Sequence, residues 1–315
     1  MGGSGSGSSC LSIVSLAGAF LRRSVAAAGL SSHTVAIDDD TTIHFWGPAV
    51  SATSSNSNSK PNLVLIHGFG PESIWQWRHQ MCFFAPFYNV YAPDLLFFGD
   101  SYTKSPERSE LFQAACLVKL FDKLGLRRYW VVGTSYGGFV AYWMASMWSE
   151  RVEKVVIASS AVNMVATDNA DLLKKAQAEK IEDLLLPTTG RRLRTMLAFA
   201  LYKRPPVYIP AFFLDDFIDK LYSENRAEKL QLLKGLSVGK SDHPLPLSPL
   251  SQQVLIVWGE HDRIFPLERA RQLQKLLGES TQLEVMEKTS HVPQLEDPHK
   301  FNFILRSFFL QPQLQ

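Results

Sequence analysis

Short apolar runs bounded by turn residues alternate with longer amphipathic stretches along most of this chain. Near the start, His33-Thr34-Val35-Ala36-Ile37 and Thr42-Ile43-His44-Phe45-Trp46 flank the turn Asp38-Asp39-Asp40, which predicts a hairpin. Leu63-Val64-Leu65-Ile66 is apolar at every position, the pattern of a strand covered on both faces of a parallel sheet. A helix over Trp75–Phe84 and a strand over Asn89–Ala92 follow. Ser105-Pro106-Glu107 predicts the start of an amphipathic helix that runs from Ser105 to Leu124 and stops at Gly125. A strand at Trp130–Val132, a helix after Ser135 and a strand at Lys154–Ala158 come next. From about Asn163 to His243 helical patterns recur without a convincing strand. The alternation resumes with a strand at Val254–Trp258, a helix at Leu267–Leu277, a strand at Gln282–Met286 and a final helix over Pro298–Phe309.

Such alternation predicts an α/β fold with a mostly parallel central sheet and helices on both faces. The all-helical stretch then reads as an insertion placed over the sheet edge, a cap. The expected organisation is an N-terminal segment 1–32, a core made of 33–162 and 247–315, and a helical cap over 163–246. The Ser/Asn-rich segment from Ser51 to Pro61 reads as an exposed loop.

At 315 residues, 46% apolar and 20% charged, the chain has the composition of an ordinary globular protein. A net charge of +2, with no basic stripe interleaved with aromatics, argues against a nucleic-acid partner. Cys10, Cys82 and Cys116 are far apart and in no metal-ligand spacing, which argues for a reducing compartment, with Cys82 and Cys116 as small core residues. Residues 1–37 hold no Asp or Glu, and Arg22-Arg23 are their formal charges. The apolar run from Cys10 to Leu21 is too short to span a bilayer, and its arginines follow it, the wrong polarity for a secretory signal. Three readings of the N-terminus stay open. Met1-Gly2 with Ser6 fits an acylation pattern, with Cys10 as a second acyl site. The acid-poor start also resembles an organelle transit peptide. The third is a Gly/Ser head followed by one amphipathic helix. These put the protein in the cytoplasm, on the cytoplasmic side of a membrane, or in a chloroplast or mitochondrion.

The candidate chemistry centres on Gly133-Thr134-Ser135-Tyr136-Gly137, set between the apolar run Tyr129–Val132 and the helical run from Gly138. A G-x-S-x-G match in a strand–turn–helix context is the pattern of a nucleophile elbow, and the plain alternative is a flexible loop. Gly133 and Gly137 would let strand and helix backbones nearly touch. A serine hydroxyl is a poor nucleophile at neutral pH, so a base and a group that orients it are needed. Loops at strand carboxyl ends are the place to look. After the strand at Val254–Trp258 comes Asp262, and after the strand at Gln282–Met286 comes His291. His67-Gly68-Phe69-Gly70 follows the Leu63–Ile66 strand and can aim the Phe69 N–H at a substrate oxygen, with the Tyr136 N–H as second donor. Each has a structural alternative. Asp262 could simply cap the next helix, Glu260 is the competing acid, and His291 could be a core histidine. His67 with Gly68 shapes its loop, Asp94 tethers its own turn, Trp75 and Trp77 pack the core, and His261 is exposed.

Those stretches carry a family resemblance, together with Pro93–Ser101, Trp258–Pro266 and Ser290-His291-Val292-Pro293-Gln294-Leu295-Glu296. The chain resembles a capped α/β-hydrolase of the plant esterase/lipase type, related to monoacylglycerol lipases and meta-cleavage product hydrolases, from about residue 60 to the end. The resemblance implies catalytic Ser135, Asp262 and His291, an acyl-enzyme, and no metal or other cofactor. Ser at 135, not Asp, speaks against epoxide-hydrolase and dehalogenase chemistry. Carbon–carbon hydrolases of this kind usually carry Trp after the histidine, and this chain has Val292. That departure favours ester hydrolysis, with carbon–carbon cleavage and a hydrolase-fold small-molecule receptor as alternatives.

Between Pro187 and Pro210 lie Arg191, Arg192, Arg194, Lys203 and Arg204, without an acid, interleaved with apolar residues. A basic amphipathic lid suits an anionic membrane surface or a carboxylate substrate, while the plain reading is a solvated helix face. Phe199, Tyr202, Phe212, Phe213 and Val292 are the expected pocket residues, with Tyr208 and Phe217 nearby. So much apolar cap surface suits a small apolar ester or acyl substrate.

Overall fold

The computed structural model describes residues 12–49, 60–203, 209–243 and 246–312. The expected hairpin forms from β1 (Leu30–Ala36) and β2 (Thr41–Pro48), paired antiparallel with Val35 opposite Ile43. Next come β3 (Asn62–Ile66), α2 (Ser73–Phe84) and β4 (Asn89–Pro93), preceded by an N-terminal helix α1 (Ile13–Ala27). A two-residue strand β5 (Tyr102–Thr103), α3 (Glu110–Lys123), β6 (Tyr129–Thr134), α4 (Tyr136–Met147) and β7 (Val152–Ala158) follow. After the helical insertion, β8 (Gln253–Gly259), α10 (Leu267–Leu277), β9 (Thr281–Met286), a short α11 (Pro293–Glu296) and α12 (Pro298–Phe309) complete the chain.

The strands form one sheet in the order β1-β2-β4-β3-β6-β7-β8-β9, with β5 paired to β2. From β4 to β9 every pairing is parallel. The all-apolar sequence runs end in the middle of it: β6 and β8 are buried at every position. Helices α1, α2 and α12 cover one face, sharing a core with Leu63, Leu65 and Val132. On the other face α3, α4 and α10 pack with Val64, Ile66 and Val131.

Between β7 and β8 lie α5 (Ala166–Ala176), α6 (Ile181–Leu185), α7 (Gly190–Ala200), α8 (Ala211–Leu221) and α9 (Arg226–Gly235), with no strand among the described residues there. Their inward residues, among them Leu172, Leu193, Met196 and Leu232, join the core on the α3–α4 side. Buried Glu110 fastens the far end of the insertion by accepting from the N–H of Ser237.

One helix boundary differs from expectation. α3 starts at Glu110, capped by Ser109, whose hydroxyl accepts from the Phe112 N–H at 3.2 Å. Ser105 instead closes a turn onto the Glu107 N–H, and Arg108 takes the Ser105 and Glu107 carbonyls that a helix would have used. Among the described residues no helix is long and apolar enough to cross a membrane. Met1, Gly2, Ser6, Cys10, Arg204 and Tyr208 lie outside the described residues.

Candidate active site

Ser135 sits between β6 and α4 with φ 51° and ψ −120°, a left-handed conformation that costs a non-glycine residue about 1–3 kcal/mol. Close packing holds it there. A Cβ on Gly133 would lie 2.1 Å from the Gly137 carbonyl oxygen, and one on Gly137 would lie 2.3 Å from the Ile66 oxygen. Two glycines thus let α4 start against two strand ends at once. The Ser135 N–H also donates to the Ala158 carbonyl at 2.9 Å, tying the elbow to β7.

The side chains of Ser135, His291 and Asp262 meet above the carboxyl ends of β6, β9 and β8. Ser135 Oγ lies 2.9 Å from His291 Nε2, and His291 Nδ1 lies 2.9 Å from Asp262 Oδ2. The other carboxylate oxygen, Oδ1, accepts from the N–H groups of Ile264 and Phe265, both at 2.9 Å. The carboxylate can only accept, so Nδ1 carries the proton and Nε2 is left to accept from the serine hydroxyl. Helix capping is therefore not the main work of Asp262. Glu260 points elsewhere: it pairs with His261 at 3.3 Å, and both side chains are 44% exposed. His261 is exposed, as expected, and its ring stacks on Tyr202.

Beside Ser135 runs the loop after β3. His67 is buried, accepts from the Leu95 N–H at 2.9 Å through Nε2 and therefore donates through Nδ1 to the Gly68 carbonyl at 2.8 Å. Burial lowers its pKa, consistent with a neutral cross-tie that shapes the loop. Gln76 clamps the same residue from α2: its Oε1 accepts from the Gly68 N–H at 2.9 Å, and its Nε2 donates to the Gly68 carbonyl at 3.0 Å. No protein acceptor among the described residues takes the N–H of Phe69 or of Tyr136. Both can serve as donors to an oxyanion.

Asp94 tethers other elements, not its own turn. It binds His44 Nδ1 at 2.7 Å through Oδ2 and accepts the Ser73 N–H at the start of α2 through Oδ1. The turn itself is closed by Ser101, which donates to the Asp94 carbonyl.

The loops that carry Asp262 and His291 are also fastened to the insertion. Arg263 donates to the Ala198 and Leu201 carbonyls, the Ser290 hydroxyl to that of Phe199, and the His291 N–H to that of Ala200. Glu296 accepts from the N–H groups of both Ser290 and Tyr202 at 2.6 Å. Burial raises its pKa. Gln76, Arg263 and Glu296 were not singled out from the sequence. A polar residue between Ile74 and Trp77 was a readable hint for Gln76, but Arg263 and Glu296 act on partners over sixty residues away.

A cavity of about 290 Å³ touches Ser135 and His291 and is walled largely by apolar side chains, including Leu197, Phe217, Val292 and Leu295. A smaller hollow of about 120 Å³ meets the same serine beside Phe139 and Leu172. Trp77 is wholly buried, and Trp75 packs against the cores on both sides while also lining the larger cavity. Of the expected pocket residues only Val292 lines these cavities. Phe199 packs on the core, Tyr202 lies against His261, Phe212 is 65% exposed, and Phe213 is not in the wall. Helical geometry explains this: α7 turns Met196, Leu197 and Ala200 to the cavity, and α8 turns Phe217.

A strained serine between a parallel strand and a helix, with its histidine and carboxylate supplied by the loops of two later strands, is how the α/β hydrolases are built. The chain belongs to that family: the alpha/beta hydrolase fold model matches residues 61–298. It is 27% identical over 267 residues to a 2-hydroxy-6-oxononadienedioate/2-hydroxy-6-oxononatrienedioate hydrolase of Pseudomonas sp., covering 80% of this chain and 88% of the relative. It is 25% identical over 262 residues to the monoacylglycerol lipase ABHD6 of Bos taurus, covering 79% and 75%. A solved membrane phospholipase A, described as a bacterial virulence factor, shares the fold with a TM-score of 0.75 at 24% identity, over 94% of this chain and 91% of that one.

Proposed function

We propose that this hydrolase cleaves carboxylic esters of apolar acyl substrates through Ser135, His291 and Asp262, with residues 163–246 as a cap over the core of 33–162 and 247–315. One observation carries the reading: Ser135 and His291, 2.9 Å apart, share the wall of an otherwise mostly apolar cavity. As Ser135 Oγ attacks the carbonyl carbon, its proton passes to His291 Nε2, and Asp262 steadies the imidazolium. The N–H groups of Phe69 and Tyr136 hold the oxyanion. His291 returns the proton to the leaving alcohol, leaving an acyl-serine. Water, deprotonated by His291, attacks that ester, and collapse releases the acid and restores the Ser135 hydroxyl.

The relatives include proteins named as lipases and as oxo-dienedioate hydrolases, so the bond cleaved is where readings compete. Carbon–carbon cleavage of a diketo acid would use the insertion's arginines on the substrate carboxylate. Arg191 and Arg192 line a separate surface cleft, and Arg194 binds the Ile209 carbonyl. Arg78 of α2 does line the cavity, where it donates to the Trp75 carbonyl; the placement of the insertion's arginines supports the ester reading, as does Val292. Affiliation with plant esterases belongs to the same reading and rests on the sequence motifs.

Fluorophosphonate labelling of wild type against Ser135→Ala tests the chemistry. Wild type is expected to label and the variant not. Equal labelling, or none in wild type, overturns the proposal and leaves the receptor reading. A series of p-nitrophenyl esters of rising chain length, run beside a diketo acid, ranks the two reactions.

A further inference from the structure

Helix α1 has two apolar faces, and the fold uses one. Val14, Gly18, Leu21 and Val25 are buried against the protein. Ile13, Leu16 and Phe20, at i, i+3 and i+7 spacing, form a second stripe exposed by 43%, 57% and 69%. Exposed Phe212 lies one turn before Asp216 of α8, the residue that accepts from the Ser12 hydroxyl and the Val14 N–H at the start of α1. The buried face of the same helix adjoins the active site. A Cβ on Gly18 would lie 3.5 Å from the ring of Trp75, and Trp75 lines the cavity that holds Ser135.

We propose that the outer face of α1, centred on Leu16 and Phe20, docks on an anionic phospholipid surface beside the Ser135 cavity. Charge favours that partner: exposed Arg22 and Arg23 follow the stripe, and residues 1–37 hold no acid. Of the three carboxylates of α8, Asp216 is engaged by α1 and Asp219 by Lys220, and Asp215 is exposed. Eight of the eleven residues before Ser12 in this sequence are Gly or Ser, a composition poor in apolar side chains. A second copy packed parallel across α1 would bring each arginine pair toward its own mate, which disfavours that contact. At 15 residues α1 is about 22 Å long, too short for a hydrocarbon core of about 30 Å, so it lies in the interface plane. The docking surface precedes the residues matched by the family model, 61–298, and does not depend on the reaction proposed for Ser135.

Vesicle flotation of the full chain tests this, with phosphatidylcholine alone and with phosphatidylcholine containing phosphatidylserine. Wild type is expected to float with the mixed vesicles and less with the neutral ones. L16S/F20S, altered at exposed positions, should lose vesicle partition by about tenfold or more. R22E/R23E should remove the preference for phosphatidylserine. Unchanged thermal melts would show that both variants fold. The proposal is overturned if wild type ignores both vesicles, or if L16S/F20S floats as wild type does. A wild-type dimer that L16S/F20S converts to monomer, without vesicle binding, would assign the face to a second copy. Flotation reads no chemistry, so loss of Ser135 reactivity would leave this result standing.

Discussion

Replacing Asp262 with Asn exchanges one carboxylate oxygen for NH2 and tests the relay. In the native site Oδ1 accepts two backbone N–H groups, from Ile264 and Phe265, and Oδ2 accepts from His291 Nδ1. Asparagine can keep the first pair only by placing its carbonyl oxygen there. Its NH2 then faces Nδ1, which must become an acceptor, so the ring proton moves to Nε2. That proton points at Ser135 Oγ, and the imidazole can no longer take the serine proton. Flipping the amide would set NH2 against two buried donors, at about 1–3 kcal/mol each, or roughly 2–6 kcal/mol. At about 1.4 kcal/mol per decade this corresponds to roughly 30- to 10⁴-fold. The same substitution in the serine-protease template costs about 10⁴ in kcat. We expect a loss of about 10³ or more in kcat for a p-nitrophenyl ester and in the rate of fluorophosphonate labelling. Near-identical volume should leave the melting temperature within a few degrees. A D262N enzyme that is folded and retains turnover within about tenfold of wild type would refute the argument from tautomer control.

Three further outcomes follow from named contacts. Gly137→Ala places a Cβ 2.3 Å from the Ile66 oxygen and 2.5 Å from that of His67, atoms fixed by the sheet. It should destabilise the fold by about 3 kcal/mol or more in urea denaturation, and a cost below about 1 kcal/mol would contradict the close approach. Glu296→Gln can accept only one of the two N–H groups that the carboxylate takes, so kcat should fall roughly tenfold with KM little changed; a rise in KM alone would mean that Glu296 serves substrate binding and not the histidine loop. For His44, burial disfavours the charge, but the Asp94 hydrogen bond and the nearby carboxylates of Asp94, Asp100 and Glu72 outweigh it, and the pKa is raised. The folded state therefore binds the proton more tightly, so this stabilisation is full below the unfolded value of about 6.5 and fades as pH rises through the folded one. His44→Gln should cost more stability at about pH 5.5 than at about pH 8.5, and an equal or reversed difference would contradict the assignment.

The elbow, its partners and the sheet were readable in the chain because each rests on local pattern. Gly133 and Gly137 mark a backbone contact that excludes any Cβ, and Val254–Trp258 is apolar throughout because both sheet faces are covered. Asp262 and His291 follow strands, and the ends of parallel strands gather on one edge whatever lies between them. The pocket was not readable in this way. Aromatic content marked Phe199, Tyr202, Phe212 and Phe213, but which side of α7 and α8 faces the serine depends on how the insertion docks, and that is set by Arg263, Ser290 and Glu296 in the core. The start of α3 was misplaced for a related reason. Ser105 and Ser109 are both competent caps, and the choice falls to Arg108, whose guanidinium takes the carbonyls of the earlier turn.

The same ties suggest how the insertion and the relay divide their work. Five hydrogen bonds join residues 198–202, at the end of α7, to the loops that carry Asp262 and His291. Lifting that end would break them together, at about 0.5–1.5 kcal/mol net each, and would pull on His291, whose own N–H is one of the five donors. A substrate path through α7 would therefore disassemble the base as it opened. Helix α8 is held differently. Among the described residues its polar side-chain tie to another element runs through Asp216 to α1, while its Phe217 lines the cavity beside Leu197. Displacing α8 leaves every bond to the histidine loop in place. The α1–α8 side is thus where the cavity can open at least cost to the relay, and it is also where Leu16, Phe20 and Phe212 stand exposed. An apolar ester leaving a lipid surface on that side would reach Ser135 without the imidazole having to move.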